Sequence, residues 1–586
     1  MKLYRFITRT FMNYTASIKR FPLAMLCSLL AAFNLARALN FRDVDLANIN
    51  NNRLGAFFIG GIFLYSVISL YLESAKSNVK NAEDNKQIKF ITVLVYILSI
   101  PIMYGFYDII YITKQGFFPY ENKYIYFGMI ALFVVLASYI AKIFYHKDYV
   151  SYVANIFEAF IISNIYSIVS YIGISAIIFA INSLFSANFP SNIYLKIFYF
   201  IFIPYNVGIF LSEFPKASES FIDYDYPKSI KVLLVYVILP LVLAYTAILF
   251  LYFLKIIINW QLPDGIIVNL VLWFAVVTVF FQFFLQKINK KFVNKFKKYY
   301  PFAIIPLLCM MFLSIGLRIN QYGLTENRYF IVATGVWVLI SEIYYIIYKK
   351  NSNITIPFIL SIIILISSLG PISCYKMSEK SQIARLTKIL EKNNMLKSNN
   401  IVKNKDISED DKAQITSILL YLTNNHIKPD IPYLDEDFEF SDQKMLNTFG
   451  FKGQDETNYE NYYYYYDNPS SVDVSGYSKL IRNVVYNKDT KVDNFTFIYN
   501  PSTIEIYLTR KDKKDLLREI DLKSLRDKLK TLKTANGVIN PEDLAISGEN
   551  AGVKYKIIFT SISFNGEDSK FDSYVSFDLL TSGSDE

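Results

Sequence analysis

Histidine is nearly missing: His146 and His426 are the only two among 586 residues, one beside an apolar run and one far along the chain. A histidine-built metal centre or a Ser-His-Asp triad is therefore excluded as a reading. Cysteine is as scarce. Cys27, Cys309 and Cys374 all lie in or at the ends of apolar runs, which argues against a zinc knuckle or a disulfide framework. No glycine loop of the phosphate-cradling kind occurs. Gly60-Gly61 sits inside an apolar run, where small residues let helices approach closely, so an ATP-driven pump is disfavoured. No metal or cofactor is expected.

Acidic residues are also thin in the first two-thirds of the chain. Residues 1–374 carry about 31 Lys+Arg against about 16 Asp+Glu, and the remainder about 29 against about 34. The net charge of +10 thus belongs to the apolar part, where the bases sit in loops beside hydrophobic runs. Membrane topology explains that placement, and a nucleic-acid partner is not expected.

What the chain has in abundance is long apolar runs. It is 53% hydrophobic, and the runs come in blocks of about twenty, the length that crosses a hydrocarbon core of roughly 30 Å. Eleven such blocks are predicted, near 21–39, 54–73, 90–112, 124–145, 165–186, 192–212, 231–258, 266–286, 301–317, 329–348 and 355–374. The predicted fold class is an α-helical polytopic membrane domain followed by a small α+β domain outside the cytoplasm. Its divisions are a cytoplasmic amphipathic segment (1–20), the transmembrane domain (21–374), a helical linker (375–430) and a soluble α+β domain (431–586).

Basic loops set the orientation. The first twenty residues hold Lys2, Arg5, Arg9, Lys19 and Arg20 without an acid, which keeps the N-terminus inside. Counting spans forward, the loop QKINKKFVNKFKK from Gln286 to Lys298 also falls inside, and the C-terminal domain falls outside. Leu3, Ile7, Phe11, Tyr14 and Ile18 form an apolar stripe that lies on the inner surface. Ala36-Arg37-Ala38 has the form of a signal-peptide cleavage site, but a span is needed there for the charge pattern, so the first helix is expected to stay uncleaved. Tyr152–Asn164 is expected as an interfacial helix leading into one span.

The C-terminal part alternates in strand fashion at 494–500 and 503–509, with Asn500-Pro501 as turn. Leu516, Ile520, Leu525, Leu529 and Leu532 predict an amphipathic helix. VKYKIIFTSISF and FDSYVSFDLL follow as strands joined through Asn565-Gly566. SEKSQIARLTKILEKNNML and ISEDDKAQITSILLYL predict helices, the second capped by Ser408. Leu434 to Thr457 reads as a solvated loop, with Asp435-Glu436-Asp437 a weaker calcium candidate. Tyr462 to Tyr466 reads as a strand or a low-complexity run rather than a ligand platform. No nucleophile stands out, so a binding or assembly role is expected of this part.

Ionisable groups at membrane depth are the usual pointers to function. Arg37, Asp108, Lys255, Arg318 and Arg328 fall at the outer ends of predicted spans, and Glu342 lies deeper. Singly, such bases snorkel to the interface and need no ligand. Together they repel one another unless an acid such as Asp108, or a lipid phosphate, lies between them. The sharpest feature is GLRINQYGLTENRYF, a polar island between two apolar runs. Arg318 and Arg328 could close on one phosphate by bidentate contacts, with Asn320, Tyr322, Gly323, Thr325 and Asn327 shaping a re-entrant hairpin. The plainer alternative is a helix-helix turn pinned by an Arg-Glu326 pair.

The pattern R-x-x-x-Y-G-x-T-x-x-R over Arg318–Arg328, with Trp337 in the next span, resembles a bacterial multi-pass membrane protein family of unknown function, the DUF4153 type. That resemblance implies an integral membrane protein of the bacterial envelope and no established reaction; the expected location is the bacterial cytoplasmic membrane. The function expected is non-enzymatic: binding, sensing or moving a lipid or other anion at the outer leaflet, with membrane lipids as partners and an envelope protein docked on the C-terminal domain. A second reading is a polytopic transferase using a lipid-linked donor through Asp43 and Asp45, although their loop of about a dozen residues is short for it. A secondary transporter is third, since no internal repeat is evident.

Overall fold

In the computed structural model, residues 14–582 are described apart from 42–45, 80–84, 112–119, 145–147, 186, 188, 260–264, 349–352, 398–399, 426–430, 435–437, 439, 454–461, 466–473, 487–489, 501, 511–512, 537–540 and 566–571. Two compact units emerge, one of residues 1–407 and 418–451, the other of 408–417 and 452–586.

Among its described residues the first unit is helical apart from a short antiparallel pairing of Leu396–Lys397 with Asn400–Ile401. A short helix α1 (Tyr14–Arg20) meets α2 (Pro22–Ala38) at a bend of 111°. Pro22, lacking an amide hydrogen, is suited to open the second helix but not to continue the first. Next come α3 (Leu46–Ser77), α4 (Lys86–Tyr111), α5 (Asn122–Lys142), α6 (Tyr149–Phe185), α7 (Ile193–Glu213), α8 (Lys228–Asn259), α9 (Val268–Leu285), α10 (Lys291–Tyr322) and α11 (Glu326–Ile347). These nine are long and apolar enough to cross a membrane, and the bent α1–α2 pair makes up to ten among the described residues. The helix α12 (Thr355–Ser368) covers the eleventh apolar block but has only 14 residues, short of the roughly 20 that span a bilayer upright.

Two departures from expectation have local causes. No proline or adjacent small pair interrupts residues 152–172, so α6 runs as one unbroken helix of 37 residues in place of an interfacial helix and a separate span. In α7 and α8 the backbone widens into π-turns at Ile201–Tyr205, which contains Pro204, and at Leu233–Ile238, just before Pro240. Each proline removes an amide that would close an ordinary α-turn.

Polar staples tie the helix ends together. At one end Arg20 Nε meets Glu73 Oε2 at 2.8 Å, and Lys142 Nζ meets Asp148 Oδ2 at 3.1 Å with both side chains almost wholly buried. These pairs grip the connection between α7 and α8. Arg20 donates to the carbonyls of Phe214 and Pro215, Lys142 to that of Glu219. Glu73 accepts from Ala217 N and Asp148 from Phe221 N. Lys287 Nζ adds bonds of 3.3 Å to the carbonyls of Ile222 and Tyr224. At the other end Asn192 donates to Leu39 O, Asn122 to Ile109 O and Tyr329 Oη to Ile372 O. At depth, Asn206 Nδ2 lies 3.2 Å from Asn164 Oδ1 between α7 and α6.

Two helices leave the apolar bundle, α13 (Cys374–Lys392) and α14 (Glu409–Asn425), the latter with Ser408 Oγ accepting from Asp411 N. Within the stretch expected as a loop, Asp442–Phe449 folds as α15, capped by Ser441 and closed by Gly450 in the left-handed region. Asp435, Glu436 and Asp437 lie outside the described residues.

In the second unit, strands β1 (Tyr462–Tyr465), β8 (Val553–Asn565), β9 (Asp572–Ser582) and β2 (Lys479–Tyr486) form one sheet in that order, with β7 (Ile546–Asn550) also on β8. A meander of β3 (Thr490–Val492), β4 (Phe495–Asn500), β5 (Thr503–Arg510) and β6 (Lys513–Asp521) forms the other. Phe497 from the meander packs on Phe577 at 6.0 Å, and Phe559 on Phe577 at 6.2 Å, so both sheets share one core. The expected helix begins later than its leucines suggested. Leu516 and Ile520 belong to β6, whose pairing with β5 shifts register between Ile506 and Tyr507, and α16 covers Leu522–Asn536. The β8–β9 hairpin pairs Asn565 with Asp572 as expected, while Gly566 lies outside the described residues.

Candidate functional site

The polar island at 318–328 is a tight interhelical turn, not a re-entrant hairpin. Helix α10 runs on to Tyr322, and α11 starts at Glu326 with Thr325 as its N-cap in extended backbone. Gly323 ends α10 at φ 73° and donates its N–H to Ile319 O at 2.9 Å. A side chain resists that left-handed conformation. Space is short too, since a Cβ here would lie 2.7 Å from Gln382 Nε2.

The last carbonyls of α10 carry the negative end of the helix dipole, and they collect donors. Tyr322 O accepts from Arg328 Nη1 at 3.2 Å, Gln382 Nε2 at 3.0 Å and Arg385 Nη1 at 3.3 Å. Arg328 Nη1 also reaches Gly323 O at 2.6 Å, and Gln382 Nε2 reaches Leu324 O at 3.0 Å. Leu324 N donates to Ser381 Oγ at 2.8 Å. The guanidiniums of Arg328 and Arg385 sit 5.6 Å and 6.0 Å from the Tyr322 ring. Arg318, one helical turn before Tyr322, lies close enough to Arg328 for the two charges to repel, as does Arg385.

What this cluster has not used is informative. Among the described residues, neither Arg318 nor Arg328 forms an ion pair with any acid, and Arg318 makes no hydrogen bond. Nε and Nη2 of Arg328 stay uncommitted. The expected Arg-Glu326 pair is replaced. Glu326 is buried and accepts from Tyr421 Oη at 2.6 Å. Burial, with the Glu326 carboxylate beside it, pushes the Tyr421 hydroxyl well above its ordinary range and keeps it a donor.

Of the other residues expected here, Asn320, Tyr322 and Asn327 are exposed, and Thr325 is half-buried. Arg37 and Lys255 are exposed on α2 and α8, and Asp108 is half-buried on α4. No hydrogen bond or ion pair among the described residues joins these three to the arginine turn. Asp43 and Asp45 lie outside the described residues. Arg385, Gln382 and Ser381 were not anticipated. Their only trace in the sequence is that Gln382 and Arg385 stand three apart, on one face of the α13 helix.

Close to the turn, a crevice of about 380 Å³ opens between α5, α11 and α12. Lys123 and Tyr124 line it together with Phe330, Ala333 and Leu360. Phe330 lies two residues beyond Arg328, so an arginine-bearing turn and an apolar crevice share the first turn of α11.

A bundle of many membrane-compatible helices, with unspent arginines at a helix-helix turn, defines an integral membrane protein. The chain belongs to the family described as Domain of unknown function (DUF4153), which is matched over residues 56–399. An uncharacterized protein of Pasteurella multocida (strain Pm70) is 24% identical over 218 residues, 37% of this chain and 37% of that protein. The chain therefore covers little more than a third of that relative's length. No solved structure matches.

Proposed function

We propose that this protein binds the phosphate of an anionic phospholipid at the outer leaflet of the bacterial cytoplasmic membrane, through Arg318 and Arg328, and presents its C-terminal domain outside. The observation that carries the reading is a pair of arginines with donors to spare and, among the described residues, no acid paired with either. A phosphate accepts from such guanidiniums bidentately. The adjoining apolar crevice favours a lipid over a free anion, since Phe330, Ala333 and Leu360 offer an acyl chain a surface and nothing to an inorganic ion. Binding or sensing fits this site better than catalysis.

The orientation rests on the charge pattern and on the staples. Counted as eleven passes, with α12 crossing despite its length, Arg20, Glu73, Lys142, Asp148, the α7–α8 connection and Lys287 all fall inside. They are also the groups that touch one another. In a cysteine-less background, an impermeant thiol reagent added to intact cells should label Ser475→Cys and leave Asn294→Cys untouched. Labelling of Asn294→Cys with Ser475→Cys protected would reverse the orientation, and protection of both would change the span count by one.

For the site itself the cleanest change is Arg318→Gln. Arg318 makes no hydrogen bond among the described residues, so thermal stability should stay the same while phospholipid retained after purification falls. Unchanged lipid in Arg318→Gln would remove the reading.

A further inference from the structure

A second polar cluster lies inside the apolar bundle, away from the arginine turn. Glu342 on α11 is fully buried, and Gln282 on α9 points one amide nitrogen at both its oxygens, 2.8 and 2.9 Å away. Around the pair, Thr246 on α8 bonds the Tyr300 hydroxyl on α10 at 3.0 Å, and the Tyr345 hydroxyl reaches Val279 O at 3.0 Å. Thr246, Thr278, Gln282 and Tyr300 are all buried.

The charged surroundings make Glu342 unusual. From α10 it faces Tyr300, and on α11 itself Tyr345; neither is a cation. The helix α9 offers only Gln282, and α12 carries no ionisable residue. The charged groups of α13 include Arg385, which touches the turn at the far end of α11. The nearby lysines are committed to carbonyls beyond the helix ends: Lys287 to Ile222 and Tyr224, and Lys297 to Ile288 at 3.1 Å. No ion pair reaches Glu342 among the described residues.

A carboxylate at membrane depth with no cation is costly unless a proton neutralises it. Gln282 suits both states. Its N–H groups donate to a carboxylate, and after a flip its carbonyl accepts from a carboxylic acid. Water is not far. Gln282 stands three residues before the end of α9 and Glu342 five before the end of α11, about 5 and 8 Å along the axes. One turn beyond Gln282 on the same face is Gln286, exposed.

We propose that Glu342 and Gln282 form an exchangeable proton-binding site inside the membrane domain, reached from the Gln286 end of α9, so that the packing of α9 against α11 responds to protonation. Loading transfers one proton from water to the Glu342 carboxylate, and unloading returns it. The inference does not depend on the arginine turn.

Infrared difference spectroscopy tests it in the purified, lipid-reconstituted protein. The wild type at neutral pH should show the carbonyl band of a protonated carboxyl group, absent from Glu342→Gln, and transfer to heavy water should shift that band within minutes. As pH is raised the band should fade. A missing band, or one that neither shifts nor fades while the protein stays folded, overturns the proposal. If Glu342→Gln does not fold, Glu342→Asp assigns the band instead, because an aspartic acid carbonyl absorbs at a different frequency; a band that does not move in Glu342→Asp overturns the proposal. Gln282→Leu supplies a second variant, in which the band must persist but fade at a different pH; an unchanged profile would also count against the site.

Discussion

Replacing Lys142 by Met should destabilise the membrane unit by about 3–5 kcal/mol, because it leaves the buried Asp148 carboxylate without its cation. Lys142 and Asp148 are 1% and 0% exposed in their side chains. Besides the ion pair, the Lys142 ammonium lies 5.4 Å from the Tyr152 ring and 5.6 Å from that of Phe221. The single substitution therefore removes a charge pair, two cation-π contacts and the donor to Glu219 O together. Asp148 would keep the Phe221 amide, at 2.7 Å, for one oxygen. Its other oxygen already has no hydrogen-bond partner among the described residues. Pairing Lys142→Met with Asp148→Leu should recover most of the loss, since two apolar groups bury without an uncompensated charge. Thermal unfolding of the two variants in the same detergent measures this. Equal losses in both would mean that the residues act through packing and not through charge.

Gly323→Val should be the next most damaging change, costing about 3–5 kcal/mol from backbone strain at positive φ and the loss of two hydrogen bonds. The new Cβ would press on Gln382, whose amide joins the Tyr322 and Leu324 carbonyls across the turn. Gly316→Val, earlier in the same helix with nothing within 4 Å of the added Cβ, should cost under about 1 kcal/mol. Similar unfolding temperatures for the two variants would show that the turn is not held as described.

Much of this architecture was legible because apolar runs and helix length obey the same constraint. Each of the eleven apolar blocks falls largely on helix among the described residues, and TIEIYLT folds as the alternating strand it reads as. The errors have physical sources. Leu516 and Ile520 stand four apart, as on a helix, but a shift in strand register buries Leu517 and Ile520 and leaves Leu516 exposed. Charges at span ends look alike whether they snorkel or pair. Lys142 and Asp148, six residues apart across a helix break, gave no sign that they would meet in the core. At the candidate site, the sequence pointed to the turn and its glycine because both are local. Gln382 and Arg385, some sixty residues on, arrive only through the packing of α13, and no local pattern announces that.

The claim that a phosphate-bearing lipid sits at the arginine turn is tested most directly by titrating the purified protein with short-chain phosphatidylglycerol and, separately, with inorganic phosphate. The lipid should bind saturably and the phosphate much more weakly. Arg328→Lys keeps the charge but loses the planar fork, so its affinity for the lipid should fall about five- to a hundredfold. No saturable lipid binding, or equal binding by Arg328→Lys, would contradict the account and leave the segment as a turn.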